Sequence, residues 1–171
     1  MNNEINIINE IAIEIKGERK SVNELLNNAV YERAFSACVR KALNEAGIPV
    51  DEDLVYFEGL KVKSGYVASE KFLASGKNFD GIICASDEIA MGAINGLREK
   101  GVNTPEDVSV IGFNDNVVAS YFYPKLTTVK QPSYDMGSVA MRMLIKILNN
   151  KPLEEAEFIL NHELIERESC K

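Results

Sequence analysis

Ser86-Asp87-Glu88 and Asn114-Asp115-Asn116 are short polar clusters, and each closes an isoleucine-bearing apolar run, Gly81 to Cys84 and Val108 to Phe113. Hydroxyl, carboxylate and carboxamide groups placed together donate and accept hydrogen bonds, and polar groups converging on one cleft mark a candidate binding site. They do not form a nucleophile and its base. The one histidine, His162, lies in the strand pattern Asn161-His162-Glu163 with no acid and nucleophile in recognisable spacing, and reads as structural. There is no G-x-S-x-G, no H-E-x-x-H and no glycine-rich phosphate loop. Ser86 and Asp87 equally suit a helix cap, and Asn114 to Asn116 equally suit a turn. At this level both readings stay open.

The elements that must carry these clusters are legible around them. A buried strand, Gly81 to Cys84, is followed by Ser86 as N-cap and two acids where a helix start favours negative charge. Ala90, Ala93, Ile94 and Leu97 recur at helical spacing, and Gly101 stands where a left-handed C-terminal cap belongs. Thr104-Pro105-Glu106 connects to the second apolar run. Strand, helix and strand in about 35 residues make a βαβ unit with parallel strands and a right-handed crossover. Ligands of open parallel sheets sit beyond the carboxyl ends of the strands, so both polar clusters should face one crevice.

The rest of the chain extends this pattern. Ile11, Ile13 and Ile15 alternate as in a strand, Gly17 to Lys20 reads as a turn, and Ser21 to Glu24 fits a capping box. Leu25, Tyr31, Phe35, Cys38 and Ala42 form a helical stripe that Gly47 ends before Pro49. Leu54 to Phe57 reads as a strand, and Ser64-Gly65 opens a helix carrying Tyr66, Val67, Phe72 and Leu73, with Gly76 as its cap. The expected fold class is α/β, a doubly wound parallel sheet alternating strand and helix up to Phe113. Beyond it, Leu126 to Val129 is extended, Gln131-Pro132 breaks it, and Met136, Val139, Ala140, Met143, Leu144 and Ile147 form a strong helical stripe. Phe158 to Ile165 reads as a last strand.

Composition limits the function classes. The chain of 171 residues carries a net charge of −7, with 46% hydrophobic and 26% charged residues, as an ordinary globular domain does. An acidic chain repels phosphate backbones, which argues against nucleic-acid binding by this segment itself. No apolar run reaches the ~20 residues of a membrane helix, and no signal-peptide pattern is present. Cys38, Cys84 and Cys170 form no C-x-x-C pair, and Cys38 and Cys84 read as buried, reduced thiols of a cytoplasmic protein.

The run CASDEIAMGAINGLREKGVNTPEDVSVIGFNDN, continued by YPKLTTVKQPSYDMGSVAMRMLIKIL and the terminal ELIERES, resembles the effector-binding core of the lactose-repressor/galactose-repressor family of bacterial transcription regulators. Those cores resemble periplasmic sugar-binding proteins. The likeness covers roughly residues 36 to 170, and more weakly residues 11 to 17. It implies one incomplete effector-binding domain over residues 1–171. Residues 11–126 would form its C-terminal lobe and 127–150 a crossover and helix that pack on an N-terminal lobe. Residues 156–170 would form the returning strand. A helix-turn-helix headpiece and about half of the sensing core would precede this segment, so the chain is expected to be part of a longer regulator. The 136–148 helix, without that lobe, would then pack on a second copy or fold back on the sheet.

The resemblance also implies roles. The ligand-binding positions would be Ser86 and Asp87 after the first strand of the βαβ unit, and Asn114 and Asp115 after the second. Leu60 stands where relatives often place a stacking aromatic. Relatives often carry an aspartate at the position of Asn114, and an amide there can bind a diol without bringing charge. An arginine common in relatives aligns with Phe35, with Arg33 two positions away. Relatives dimerise through surfaces that map onto Met91 and onto Tyr121, Phe122 and Tyr123. The expected partners are a small-molecule effector, a carbohydrate, and a second copy of the chain. DNA would be met only through the headpiece. No cofactor, metal or enzymatic activity is implied. Two alternatives of the same fold are a sensor domain of a signalling protein and a standalone sugar-binding protein.

Overall fold

The computed structural model describes residues 29–57, 59–153 and 158–171. The strand expected at Ile11 to Ile15, the turn after it and the Ser21 to Glu24 capping box lie outside the described residues. Helix α1 spans Ala29–Glu45. Its inward stripe is Phe35, Val39 and Leu43 at i, i+4 and i+8, all half-buried, while Cys38 is exposed. The buried thiol expected at Cys38 is therefore corrected: the stripe is turned by one residue, about 100°, from the one read through Cys38 and Ala42. Gly47, at φ 71, ends the helix, and the Ile48 N–H closes back on the Leu43 carbonyl at 2.8 Å.

The strand expected at Leu54 to Phe57 is not formed. Asp51 accepts a hydrogen bond from the Asp53 N–H and caps a 3-10 turn over Glu52–Leu54. Val55 is extended, and residues 55–57 carry no strand assignment. The Arg40 guanidinium of α1 forks onto Glu52 at 2.6 and 2.8 Å, and Lys77 holds Asp51 at 3.0 Å. These pairs tie the turn to α1 and to the loop at Lys77.

From here the βαβ reading holds with small shifts in boundaries. Helix α2 is Val62–Ala74, strand β1 Gly81–Ile83, helix α3 Asp87–Glu99 and strand β2 Ser109–Asn114. Strand β3 is Thr127–Lys130, helix α4 Ser133–Leu148 and strand β4 Glu163–Ile165. The sheet order is β1-β2-β3-β4, with the first two pairs parallel and the last antiparallel. The fold is thus α/β with a mainly parallel sheet, as the alternation of elements implies. The core lies between α3 and the sheet, where Ile94, Leu97, Val110 and Leu126 are fully buried.

Helices α2 and α3 approach closely because glycine removes side chains where they meet. A Cβ on Gly92 would overlap the Val62 carbonyl, and one on Gly65 would overlap that of Ile89. A Cβ on Gly96 would strike the Ser69 hydroxyl. Helix α4 behaves oppositely. Tyr134 is 87% exposed and Met141, Ile145 and Leu148 are also exposed, so the helix does not fold back onto the sheet. Its Gly137 meets nothing within 4 Å of a built Cβ.

These two glycines give opposed expectations. Gly92→Ala forces backbone apart, and overpacking of this kind costs about 3 kcal/mol, which lowers Tm by roughly 6–12 °C for a chain of this size. Gly137→Ala gains helix propensity of about 1 kcal/mol and raises Tm by roughly 2–4 °C. Differential scanning calorimetry of both variants checks the pair.

Candidate functional site

The two polar clusters meet at the carboxyl ends of β1, β2 and β3. Ser86 is the N-cap of α3, its hydroxyl accepting from the Ile89 N–H at 3.3 Å. Asp87 begins the helix and is fully buried. Its Oδ1 accepts from the Thr128 hydroxyl at 2.5 Å and its Oδ2 from the Asn116 N–H at 2.6 Å. One carboxylate therefore joins the start of α3, the end of β2 and the middle of β3. Gly112 makes room for it, because a Cβ there would overlap Asp87 Oδ1. Burial pushes the Asp87 carboxyl above its ordinary pKa, and the bonds from Thr128 and Asn116 oppose that shift.

Past β2 the backbone turns through two left-handed residues, Asn114 at φ 105 and Asp115 at φ 55. The Asp115 N–H reaches the Thr128 hydroxyl at 3.4 Å, and its carboxylate accepts from Arg167 Nη2 at 2.7 Å. The Asn116 carboxamide donates to Glu88 at 2.9 Å. Asn114 is half-buried, and its carboxamide makes no hydrogen bond among the described residues. It is the free polar group of the tip.

The predicted ligand residues thus divide. Ser86 and Asp87, expected to touch ligand, are 4% and 0% exposed; Ser86 caps α3, and Asp87 bonds Thr128 and the Asn116 N–H. Asp115 is held inward by Arg167. Leu60 is half-buried and lines an apolar cavity of about 410 Å³ with Phe35, Cys84 and Ala85. Phe35 packs edge-on to Phe113 with centroids 5.7 Å apart. Arg33 stands in α1, in the part of that helix described by its backbone alone. Sequence reasoning assigned no role to Gly112, Thr128 or Arg167, although Thr128 and Arg167 lie inside the L-T-T-V and ELIERES runs.

The expected dimer positions also divide. Met91 is 8% exposed. Phe122 packs against the core from the edge. Tyr121 and Tyr123 are 84% and 78% exposed, beside exposed Val117 and Val118. Arg98 of α3 donates to the Tyr123 carbonyl and fixes the loop that bears them.

The family model of the periplasmic binding protein-like domain matches residues 22–170. The chain belongs to the periplasmic binding protein-like domain family. It is 53% identical over 169 residues to the HTH-type transcriptional regulator RegA of Clostridium saccharobutylicum, covering 91% of this chain and 51% of RegA. Among solved structures it is similar to the transcription regulator CcpA of Lactococcus lactis, with a TM-score of 0.69 and 37% identity over 78% of this chain and 48% of that one. It is also similar to the transcriptional regulator CelR in its cellobiose complex, with a TM-score of 0.71 and 35% identity over 76% of this chain and 40% of that one. The resemblance to the C-terminal part of the lactose-repressor/galactose-repressor core therefore holds. This periplasmic binding protein-like chain spans about half the length of the RegA regulator it matches. No helix among its described residues is long and apolar enough to cross a membrane.

The raised Asp87 pKa has a sign that can be read in stability. The folded state holds the proton more tightly than the unfolded chain, whose carboxyl titrates near about 3.9. The contribution of this group is fully present below that pH and is lost as pH rises through the folded pKa. Asp87→Asn, which can still accept from Asn116 and donate to Thr128, should therefore cost more stability near pH 4 than near pH 7. Asp87→Ala, which strands two donors, should cost about 2–3 kcal/mol at either pH, a Tm loss of roughly 4–12 °C. Thermal melts of both variants at the two pH values check this.

Proposed function

We propose that this chain forms one wall of the effector cleft in a bacterial transcription regulator, and that the effector is a sugar or sugar-like metabolite. The observation that carries the reading is the free Asn114 carboxamide. It stands at the carboxyl ends of the parallel strands, in a tip where the neighbouring polar groups are already paired. A carboxamide both donates and accepts, so it suits a vicinal diol. Phe35 and Leu60, which line the apolar cavity beside β1, offer surface that suits the face of a sugar ring. The cellobiose complex of CelR supports the carbohydrate class.

Control is a shift of population. Effector favours one arrangement of this lobe against the other half of the sensing core, and that arrangement sets the separation of DNA-binding headpieces carried elsewhere in the regulator. The exposed apolar face of α4 packs on that other half, and the regulator acts in the cytoplasm as a homodimer. Tyr121 and Tyr123 form part of the dimer surface, since exposed aromatics beside apolar side chains are enriched at interfaces. No catalytic step is assigned to it.

Isothermal titration of the whole gene product with a panel of sugars, cellobiose and D-ribose among them, tests the ligand class. One of them should bind, and Asn114→Ala should weaken it roughly tenfold, the worth of one or two hydrogen bonds. Binding of a nucleobase or amino acid with no response to any sugar would overturn the carbohydrate reading. Sedimentation of Tyr121→Asp/Tyr123→Asp should show the dimer giving way to monomer. An unchanged dimer would remove that loop from the interface.

A further inference from the structure

Arg167 lies beyond β4, far in sequence from the β2 tip, yet it ties the start of β3 to that tip through three contacts. Its backbone N–H donates to the Thr127 hydroxyl at 2.9 Å, its Nη1 to the Leu126 carbonyl at 2.8 Å, and its Nη2 to Asp115 Oδ1 at 2.7 Å. Both partners of the Arg167–Asp115 pair are mostly shielded, with side-chain exposures of 17% and 16%. The segment around it is anchored independently. The Ser169 hydroxyl accepts from the Thr127 N–H and donates to the Val110 carbonyl, and the Val110 N–H reaches the Ser169 carbonyl. A guanidinium presents its donors in a rigid planar fork, so fixing one nitrogen on the Leu126 carbonyl sets where the other meets the Asp115 carboxylate.

The held residue lies in a conformation that the backbone resists. Asn114 and Asp115 are consecutive non-glycine residues at positive φ. Such residues carry strain and persist where surrounding contacts over-determine them. Here those contacts are Thr128 on the Asp115 N–H, Asp87 on the Asn116 N–H, and Arg167 on the Asp115 side chain. Only the last comes from the far end of the chain, through a shielded ion pair.

We propose that Arg167 is a positioning residue of the effector site, holding the β2 tip in the strained turn that leaves the Asn114 carboxamide free for ligand. This rests on the reading of Asn114 as a ligand contact, but the coupling can be measured without ligand. Asn114→Gly relieves the strain at φ 105 and should raise Tm by about 3 °C while Arg167 enforces the turn. In an Arg167→Met background the turn relaxes, and the same substitution should raise Tm by less than about half that amount. Equal gains in the two backgrounds would overturn the role of Arg167. Should Arg167→Met lack a cooperative transition, Asp115→Asn replaces it in the same cycle, since it removes the charge partner while keeping the shape. No sugar enters these melts, so equal gains would leave the effector reading intact. Failure of sugar binding in the titration above would leave the coupling intact.

Discussion

The site depends on one buried carboxylate. Asp87 leaves water completely, which is costly for a charged group, and its two oxygens each accept a short hydrogen bond in return. Its position at the first turn of α3 adds the favourable end of the helix dipole. The consequence is mechanical. Thr128 is bonded at Oδ1 and the Asn116 N–H at Oδ2, so the turn after β2 and the middle of β3 are pinned to one helix start. Neither can shift without breaking a bond to a buried acid.

That carboxylate needs a rigid helix beneath it, and the helix is rigid because of absent side chains. Gly65, Gly92 and Gly96 let α2 and α3 meet backbone to backbone, which no other residue type permits at that separation. Ser69, also fully buried, fills the remaining space and bonds the Tyr66 carbonyl. The sheet side is closed by Ile94, Leu97, Val110 and Leu126. Close packing of this kind is stiff, so the start of α3 is carried as a fixed point for the tip.

The βαβ unit was legible in the sequence because its signals are local: Ser86 before two acids, a helical stripe, Gly101 at the end. Where local signals competed with absent partners, the reading failed. Leu54 to Phe57 has strand-like composition, but Asp51 draws residues 52–54 into a 3-10 turn. Cys38 lies one residue off the true stripe of α1, and a short stripe fits either register until the tertiary contacts are known. The gathering of the polar clusters was legible, and their wiring was not. Ser86, Asp87, Asn114 and Asp115 are indeed gathered at one end of the sheet. Which oxygens are consumed and which remain free depends on Thr128 and Arg167, lying 41 and 52 positions from their partners Asp87 and Asp115. Pairing at that separation leaves no periodic trace in a single sequence.

The wiring also explains why the free group at the tip is an amide. Asp87 already sits near two other acids, Glu88 and Asp115, and both push its pKa further upward beyond the effect of burial. Glu88 is engaged by the Asn116 carboxamide and Asp115 by Arg167, so each acid has a partner that spreads its charge. A fourth carboxylate at position 114 would have no such partner among the described residues and would add repulsion to the acid that pins the strand ends. A neutral carboxamide keeps the capacity to donate and accept without that penalty. The neutral amide at position 114 is therefore coupled to the acids behind it, which already hold the charge that this end of the sheet can pair.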